Sequence, residues 1–354
     1  MPINNFALAA VFMAMAALLM TTAGPVLAAP PAPSVSQPTL RDVTYCTVGR
    51  VDLKMDVYLP DNSYSASRPA VVYVHGGGWV SGDKRSGAGS LDISELIGRG
   101  YVVASLNYRL APQYKFPAQI EDVKCAIRSL RANSAIHHIN PDHIGAWGGS
   151  AGGHLVSLLG VTDQSAGFDV GQYLEQSSRV QAVVDYFGPS DLTSSDFGSA
   201  QRQQILTVFG STDALGSASP ITYITKDDSP FLIVQGELDT TVPPHQSQEL
   251  YDRLGAAGVP ATLVMVKNAG HSFKPVGGPI SPTRPEITKM MADFFDRQLR
   301  SNGTVSAQTT TGYQMSRSPS PVWAVPVVAV AVGIAAIAVL ILKRKLDSSA
   351  MTFS

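Results

Sequence analysis

The sequence is sparing with cysteine and with net charge. Its 354 residues include only two cysteines, Cys46 and Cys125, so no more than one disulfide can form within the chain. The sequence leaves open whether these two residues pair or remain buried thiols. Lysine and arginine number 26 against 27 aspartates and glutamates, which gives a formal net charge of −1. Nucleic-acid binding requires a concentrated basic face, so this balance argues against nucleic acid as a partner.

Charge is missing altogether from one long segment near the C-terminus. Residues 322–342 (VWAVPVVAVAVGIAAIAVLIL) contain no charged side chain, and a helix of that length spans about 30 Å, the thickness of a bilayer core. The basic residues Lys343, Arg344 and Lys345 follow at once, as is typical of the cytoplasmic end of a spanning helix. We therefore predict a single transmembrane helix over residues 322–342 and a cytoplasmic tail over residues 343–354.

A second apolar segment lies at the N-terminus. Residues 7–20 (ALAAVFMAMAALLM) are apolar, and small residues follow as far as Ala28, although no lysine or arginine precedes the run. This pattern predicts a secretory signal peptide over residues 1–28, with an uncleaved anchor helix as the alternative. Together, the two ends predict an extracytoplasmic domain that is tethered to the membrane.

Two segments poor in large apolar side chains flank the middle of the chain. Residues 29–38 are rich in proline, and residues 301–321 (SNGTVSAQTTTGYQMSRSPSP) are of low complexity. Such segments bury too little apolar surface to fold alone, so we interpret them as a linker and a stalk. The remaining residues, 39–300, are then one globular domain.

The globular segment alternates short apolar runs with amphipathic stretches, which predicts an α/β domain with a mostly parallel central sheet flanked by helices. Residues 51–60 (VDLKMDVYLP) alternate apolar and polar side chains, as an edge strand with one exposed face does. Compact apolar runs predict buried strands at residues 70–75, 101–108, 143–148, 180–187, 231–236 and 261–267. Amphipathic stretches predict helices at residues 116–133, 245–258 and 285–300. In such a domain, functional residues lie in loops after the carboxyl ends of strands.

One such loop contains a serine surrounded by glycines. Ser150 lies in AWGGSAGGH (146–154), directly after the predicted strand HIGAWG, and AGGHLVSLLG behind it has the composition of a helix start. This strand–turn–helix arrangement is the one that a nucleophile elbow requires. The glycines remove Cβ atoms where a strained turn brings strand and helix together. We therefore predict that Ser150 is a catalytic nucleophile.

A serine nucleophile needs a base and an orienting carboxylate. His271 in NAGHSF follows one predicted strand, and Asp239 in QGELDTTVPP follows another, so these two residues are the predicted partners. Glu237 and Asp213 are rival candidates for the acid, and both rank below Asp239.

A third loop, HGGGW (75–79), follows the strand AVVYV. Its glycines allow backbone N–H groups to point at a single oxygen, which predicts an oxyanion hole formed by Gly77 and Gly78, with the Ala151 N–H as a further donor.

Several nearby polar and aromatic residues have simpler structural interpretations. His154 is expected to pack inside the fold, His75 to shape its loop, and Asp122 to form a supporting hydrogen bond or ion pair. Trp79 and Tyr108 either wall an acyl pocket or only pack.

Taken together, these motifs resemble the carboxylesterases of the α/β-hydrolase superfamily, in the branch related to hormone-sensitive lipase and to bacterial feruloyl and acetyl-xylan esterases. The motifs that carry the resemblance, which covers about residues 40–300, are HGGGWVSGDKR, SLNYRLAPQYKFPAQIEDV, INPDHIGAWGGSAGGHLVSLLG, GPSDL, SPITYITKDDSPFLIVQGELDTTVPPHQS and NAGHSF. The resemblance implies an α/β-hydrolase fold with a small cap insertion, a Ser150–Asp239–His271 triad, and no requirement for a metal or cofactor. Gln235 departs from the pattern, because a histidine is usual there.

The predicted function is hydrolysis of short-chain acyl or carbohydrate-linked esters through an acyl-enzyme. Residues 161–220 contain the predicted cap, and their moderate polarity favours a soluble ester over a long lipid. An amidase or peptidase with the same triad is one alternative. A non-catalytic surface-binding protein with a hydrolase fold is the other.

Overall fold

A computed structural model gives the structure of residues 37–60, 67–86 and 89–300. The predicted signal peptide, stalk, transmembrane helix and cytoplasmic tail lie outside these described residues, as does nearly all of the proline-rich linker. Within the described ranges, no helix is both long enough and apolar enough to cross a membrane.

The core of the domain is an eight-stranded sheet in the order β1-β2-β4-β3-β5-β6-β7-β8. β1 and β2 pair antiparallel, as do β2 and β4, and every other neighbouring pair is parallel. The strands are β1 (Leu40–Val48), β2 (Val51–Tyr58), β3 (Arg68–Val74), β4 (Val102–Leu106), β5 (Ile139–Gly149), β6 (Ala182–Tyr186), β7 (Phe231–Gly236) and β8 (Ala261–Val266).

Helices cover both faces of this sheet, since both faces of its central strands are apolar. The helices in the described residues are α1 (Gly89–Gly98), α2 (Ala118–Ala132), α3 (Ala151–Val161), α4 (Ser199–Phe209), α5 (Pro244–Ala257) and α6 (Arg284–Leu299). Side chains of α2, α3 and α5 enter one hydrophobic cluster, and side chains of α1 and α6 enter a second. The predicted fold class, an α/β-hydrolase fold with a mostly parallel sheet, is confirmed.

The edges of the sheet differ from the sequence prediction. Residues 51–60 were expected to form an edge strand, but β2 lies between β1 and β4, and its C-terminal half is buried. The edge is β1, whose first residues are exposed. At the opposite edge, β8 is only partly buried, although its apolar run predicted a buried strand. An apolar run shows that a segment buries side chains, but pairing partners decide which strand ends a sheet.

The two cysteines form a disulfide that joins β1 to α2. Cys46 and Cys125 are 79 residues apart in sequence, and both side chains are buried in the hydrophobic core. A cross-link that closes a loop of this length typically stabilises a folded domain by about 2–4 kcal/mol. The alternative of two buried thiols is therefore wrong for this structure.

The predicted cap segment, residues 161–220, is interrupted by β6 and is therefore not one continuous insertion. Its first part packs against α2, where Asp169 accepts hydrogen bonds from the buried Lys124 and Arg128. Its second part contains α4, which reaches the loop after β3. Only this second part contributes to the cavity described below.

Candidate active site

Ser150 occupies a strained turn between β5 and α3. Its φ and ψ are 57° and −120°, a backbone conformation that residues other than glycine rarely adopt. Its N–H donates to the carbonyl of Tyr186 at 2.9 Å, and its own carbonyl accepts from the N–H of His154 at 2.9 Å. Two backbone hydrogen bonds therefore hold the turn while the hydroxyl remains at a cavity wall.

Two of the surrounding glycines allow the close approach that this turn needs. A Cβ on Gly152 would collide with the backbone carbonyl of Val74 in β3. A Cβ on Gly148 would lie 2.6 Å from the backbone of Gly152 itself. The glycines of AWGGSAGGH thus bring α3 against the sheet, as the sequence predicted.

The structure brings Ser150, His271 and Asp239 together from the carboxyl ends of three strands. His271 Nε2 lies 3.1 Å from the Ser150 Oγ, and His271 Nδ1 lies 2.7 Å from Asp239 Oδ2. The Asp239 side chain is fully buried, whereas 23% of the His271 side chain is exposed. This is the geometry in which an imidazole can remove a serine proton while a carboxylate fixes its tautomer.

Asp239 is held by donors on both of its oxygens. Oδ1 accepts from the backbone N–H groups of Thr241 at 2.8 Å and Val242 at 3.0 Å. Oδ2, which faces His271, also accepts from Gln235 Nε2 at 3.3 Å. The rival acids Glu237 and Asp213 are both exposed on the surface.

Gln235, whose departure from the family pattern the sequence left unexplained, therefore contacts the carboxylate of the predicted triad. It is fully buried, and its Oε1 accepts a hydrogen bond from Ser247 Oγ at 2.8 Å. Gln235 Nε2 also donates to the Val242 carbonyl at 3.2 Å, and because a carbonyl can only accept, this contact fixes the nitrogen end of the amide towards Asp239. The sequence signals for this role were its position in the predicted strand FLIVQG and its departure from the family pattern.

The glycine loop after β3 lies beside Ser150. Gly77 and Gly78 have φ values of 111° and 59°. Among the described residues, their N–H groups donate to no backbone oxygen, which leaves them available to another acceptor. Ala151, the third predicted donor, is the first residue of α3, where N–H groups have no partner within the helix.

These elements surround a cavity of about 750 Å³. Ser150, His271, Gly77 and Gly78 are among the residues that line it. The lining also includes polar and aromatic residues that the sequence analysis did not identify: Tyr73, Asp92, Trp147, Tyr186, Phe187 and Gln204.

The buried carboxylate in this wall is paired. Asp92 accepts from Arg284 Nη2 at 2.6 Å and from Thr288 Oγ1 at 2.7 Å. Burial raises the pKa of the Asp92 carboxyl, and the charge and hydrogen bonds of Arg284 act in the opposite direction. The guanidinium also lies over the ring of Tyr186, 5.6 Å from its centroid. The pair links α1 and α6 beneath the cavity.

His154 and Trp79 form a packed pair behind the glycine loop. The Trp79 indole N–H donates to His154 Nδ1 at 3.2 Å, so His154 Nε2 carries the proton and donates to the Ala218 carbonyl at 2.7 Å. Burial lowers the pKa of His154 to about 4, so the ring is neutral at physiological pH. The structural interpretation of His154 fits this arrangement.

His75 and Tyr108 are likewise engaged with each other. Their rings stack at a centroid distance of 4.3 Å, and the Tyr108 hydroxyl donates to the His75 carbonyl at 3.0 Å. Burial lowers the pKa of His75. Neither Trp79 nor Tyr108 is among the residues that line the cavity, so packing is the better of the two interpretations.

Asp122 supports the loop that follows β4. It is fully buried and accepts from the Arg109 backbone N–H at 2.8 Å and from its guanidinium at 2.7 Å. The expected hydrogen bond and ion pair are both present.

Phe187 is the aromatic residue that packs against the candidate base. Its ring meets the His271 imidazole edge to face at a centroid distance of 4.9 Å.

Within the described part of the chain, no cluster of three or more His, Cys, Asp or Glu side chains is placed to hold a metal ion.

Comparisons with known proteins agree with this architecture. The BD-FAE family model matches residues 55–254. The probable carboxylic ester hydrolase LipM of Mycobacterium tuberculosis is 31% identical over 270 residues, which cover 73% of this chain and 62% of that protein. Esterase LipQ of the same organism is 32% identical, with 66% of this chain and 56% of that protein covered. The chain therefore spans less than two thirds of the length of either curated relative.

Solved structures add a third comparison. A truncated form of a carbohydrate esterase from gut microbiota is 30% identical with a TM-score of 0.65, and the match covers 77% of this chain and 100% of that one. The resemblance to esterases of the α/β-hydrolase superfamily is thereby confirmed. Since the family model matches more than half of the sequence, the chain belongs to the BD-FAE family.

Proposed function

We propose that this protein is a serine carboxylesterase whose triad is Ser150, His271 and Asp239. The observation that carries the proposal is the continuous hydrogen-bonded chain from the Ser150 hydroxyl through His271 to the buried Asp239. This series of hydrogen bonds ends at the cavity wall beside Gly77 and Gly78, whose N–H groups donate to no backbone oxygen within the part of the chain that the structure describes. Nucleophile, base, orienting acid and oxyanion donors are the full set that acyl transfer requires.

In the proposed first half-reaction, the Ser150 Oγ attacks the ester carbonyl while His271 Nε2 takes its proton. The N–H groups of Gly77, Gly78 and Ala151 stabilise the negative charge that develops on the carbonyl oxygen. Asp239 keeps the Nδ1 proton in place and stabilises the imidazolium. The imidazolium then protonates the departing alkoxide, and the acyl group remains on Ser150.

In the second half-reaction, water replaces the alcohol. His271 removes a proton from the water, the resulting hydroxide attacks the acyl carbonyl, and the same N–H groups stabilise the second tetrahedral intermediate. Collapse of this intermediate returns the proton from His271 to Ser150 and releases the carboxylic acid. No group beyond these side chains and the backbone is needed for either step.

We propose short-chain acyl or carbohydrate-linked esters as the substrates. The cavity of about 750 Å³ is lined by aromatic side chains such as Tyr73 and Phe187 together with polar ones such as Gln204 and Thr241, and this mixture suits a short acyl group or a sugar ring.

A panel of matched chromogenic substrates tests this assignment. On the full chain, p-nitrophenyl acetate and butyrate should be hydrolysed with kcat/KM at least tenfold above the laurate. An acetylated sugar should release acetate, and the matched p-nitroanilides should react far more slowly. Fast anilide turnover would instead favour an amidase or peptidase. Failure to hydrolyse any ester would favour a binding role for the fold.

We further propose that the domain lies outside the cytoplasm and is held by the predicted C-terminal anchor. The Cys46–Cys125 disulfide supports this, since such bonds persist in oxidising compartments and are rare in the cytosol. In intact cells that express the full chain, an external protease should digest the domain, and a chain that ends at residue 321 should appear in the medium. Protection of the domain from the protease would contradict this proposal.

A further inference from the structure

The cavity that Ser150 lines is also lined by buried polar side chains from one face of the sheet. Tyr73, Trp147 and Tyr186 come from β3, β5 and β6, and all three enter the hydrophobic cluster that contains side chains of α1 and α6. Asp92, from α1, lines the cavity with them. Trp147 precedes Ser150 by three residues, so their Cα atoms are at most about 10 Å apart, since a strand rises about 3.3 Å per residue.

Two of these side chains present polar groups without a protein partner. Among the residues that the structure describes, neither the indole N–H of Trp147 nor the hydroxyl of Tyr186 has a hydrogen-bond partner, although both are buried. Such groups are costly to bury, so folded proteins rarely keep them unless another molecule satisfies them. Tyr73 differs, because its hydroxyl donates to the Ser86 carbonyl at 3.3 Å.

A charged acceptor lies close to both groups. Among the described residues, Asp92 accepts from Arg284 on Oδ2 and from Thr288 on Oδ1, and each oxygen of an ionised carboxylate can accept a second hydrogen bond. Burial raises the pKa of the Asp92 carboxyl, and Trp147 is among the neighbours that oppose this shift. Burial also raises the pKa of Tyr186, and the charge of Asp92 adds to that shift.

A ligand group that fits here must accept a hydrogen bond from the Trp147 N–H, which can only donate, and must donate to a carboxylate. A hydroxyl group does both, whereas a ketone or carboxylate only accepts and an ammonium group only donates. We propose that Trp147, Tyr186 and Asp92 form a subsite for a free hydroxyl group of the ester substrate. The proposal rests on the esterase function proposed above and narrows it to hydroxylated esters, such as partly acylated sugars.

The hydroxyl can be carried by the alcohol or by the acyl part of the ester, so two series of substrates test the subsite with the full chain. In the first, the monoacetates of the isomeric cyclohexanediols are compared with cyclohexyl acetate by acetate release. In the second, p-nitrophenyl 6-hydroxyhexanoate is compared with the hexanoate. At least one hydroxylated ester should have a kcat/KM about tenfold above that of its parent, because the parent leaves buried polar groups unpaired. The series that shows this preference identifies which part of the ester enters the subsite.

Two substitutions assign the preference to these residues. Tyr186→Phe removes the unpartnered hydroxyl, and Trp147→Phe removes the indole N–H while retaining an aromatic ring. Each should lower the ratio of kcat/KM between hydroxylated and parent ester at least about threefold. The ratio is the readout because a loss of packing or of folded protein lowers both rates together. Tyr186→Phe should also retain the wild-type Tm, since it loses no hydrogen bond within the described part of the protein.

Tyr101→Phe is the matched control. Tyr101 is buried in the same hydrophobic cluster, but its hydroxyl donates to Asp296 at 2.9 Å and it is not among the residues that line the cavity. This variant should have a lower Tm and the wild-type substrate ratio. If the wild-type preference is below twofold in both series, or if it is unchanged in both Tyr186→Phe and Trp147→Phe, the subsite is overturned while the esterase function stands. A wild-type protein that hydrolyses no ester would overturn both.

Discussion

Replacing Ser150 with alanine is expected to lower kcat for ester hydrolysis by about 10⁴- to 10⁶-fold. The variant loses the Oγ that lies 3.1 Å from His271 Nε2, and with it the only route to an acyl-enzyme in the proposed mechanism. A residual rate above that in water should remain, because oxyanion donors and bound geometry still favour attack by water. A fluorophosphonate probe should label the wild-type protein at Ser150 and leave the variant unlabelled.

Folding of this variant is not expected to be the difficulty. The turn is held by backbone groups of Ser150, and these are retained when the side chain becomes a methyl group. Ser217→Ala is the matched control, since Ser217 is exposed and lies in the segment between α4 and β7. Ester hydrolysis by Ser150→Ala at more than a hundredth of the wild-type rate would contradict the assignment of Ser150 as nucleophile.

The elbow could be predicted from the sequence because its constraints are local. Strand, turn and helix follow one another within AWGGSAGGH, and the required absence of Cβ atoms is visible as glycine. The carboxyl ends of β7 and β8 could likewise be recognised from their apolar runs, which placed Asp239 and His271 at the same edge of the sheet as Ser150.

Contacts between distant segments could not be predicted in this way. Gln204 meets Gly78 only because α4, which no strong amphipathic pattern indicates, lies across the loop after β3. The cysteine pairing also depends on the distance between β1 and α2, and nothing in either local sequence specifies that distance. The residues around Asp92 that line the cavity could not be predicted for a similar reason, since Tyr73, Trp147 and Tyr186 come from β3, β5 and β6 and Asp92 comes from α1.

Replacing Asp239 with asparagine is expected to reduce kcat by about 10⁴-fold with little change in KM. The substitution preserves shape and removes charge, so the loss measures what the carboxylate does for His271. The measurement is kcat and KM for p-nitrophenyl butyrate, with Glu237→Gln as the matched control. Glu237 is an exposed acid two residues away, and its substitution should leave kcat within twofold of wild type.

The reason for so large an effect lies in the donors around Asp239. Two backbone N–H groups, those of Thr241 and Val242, require an oxygen at the Oδ1 position, so the new amide nitrogen must take the place of Oδ2. There it faces the Gln235 amide nitrogen, whose orientation is fixed by its hydrogen bond to the Val242 carbonyl, and it faces His271 Nδ1. His271 can accept a hydrogen bond from that nitrogen only by moving its own proton to Nε2, and a protonated Nε2 cannot take the proton of Ser150. A loss of less than tenfold in Asp239→Asn would show that Asp239 does not set the tautomer of His271.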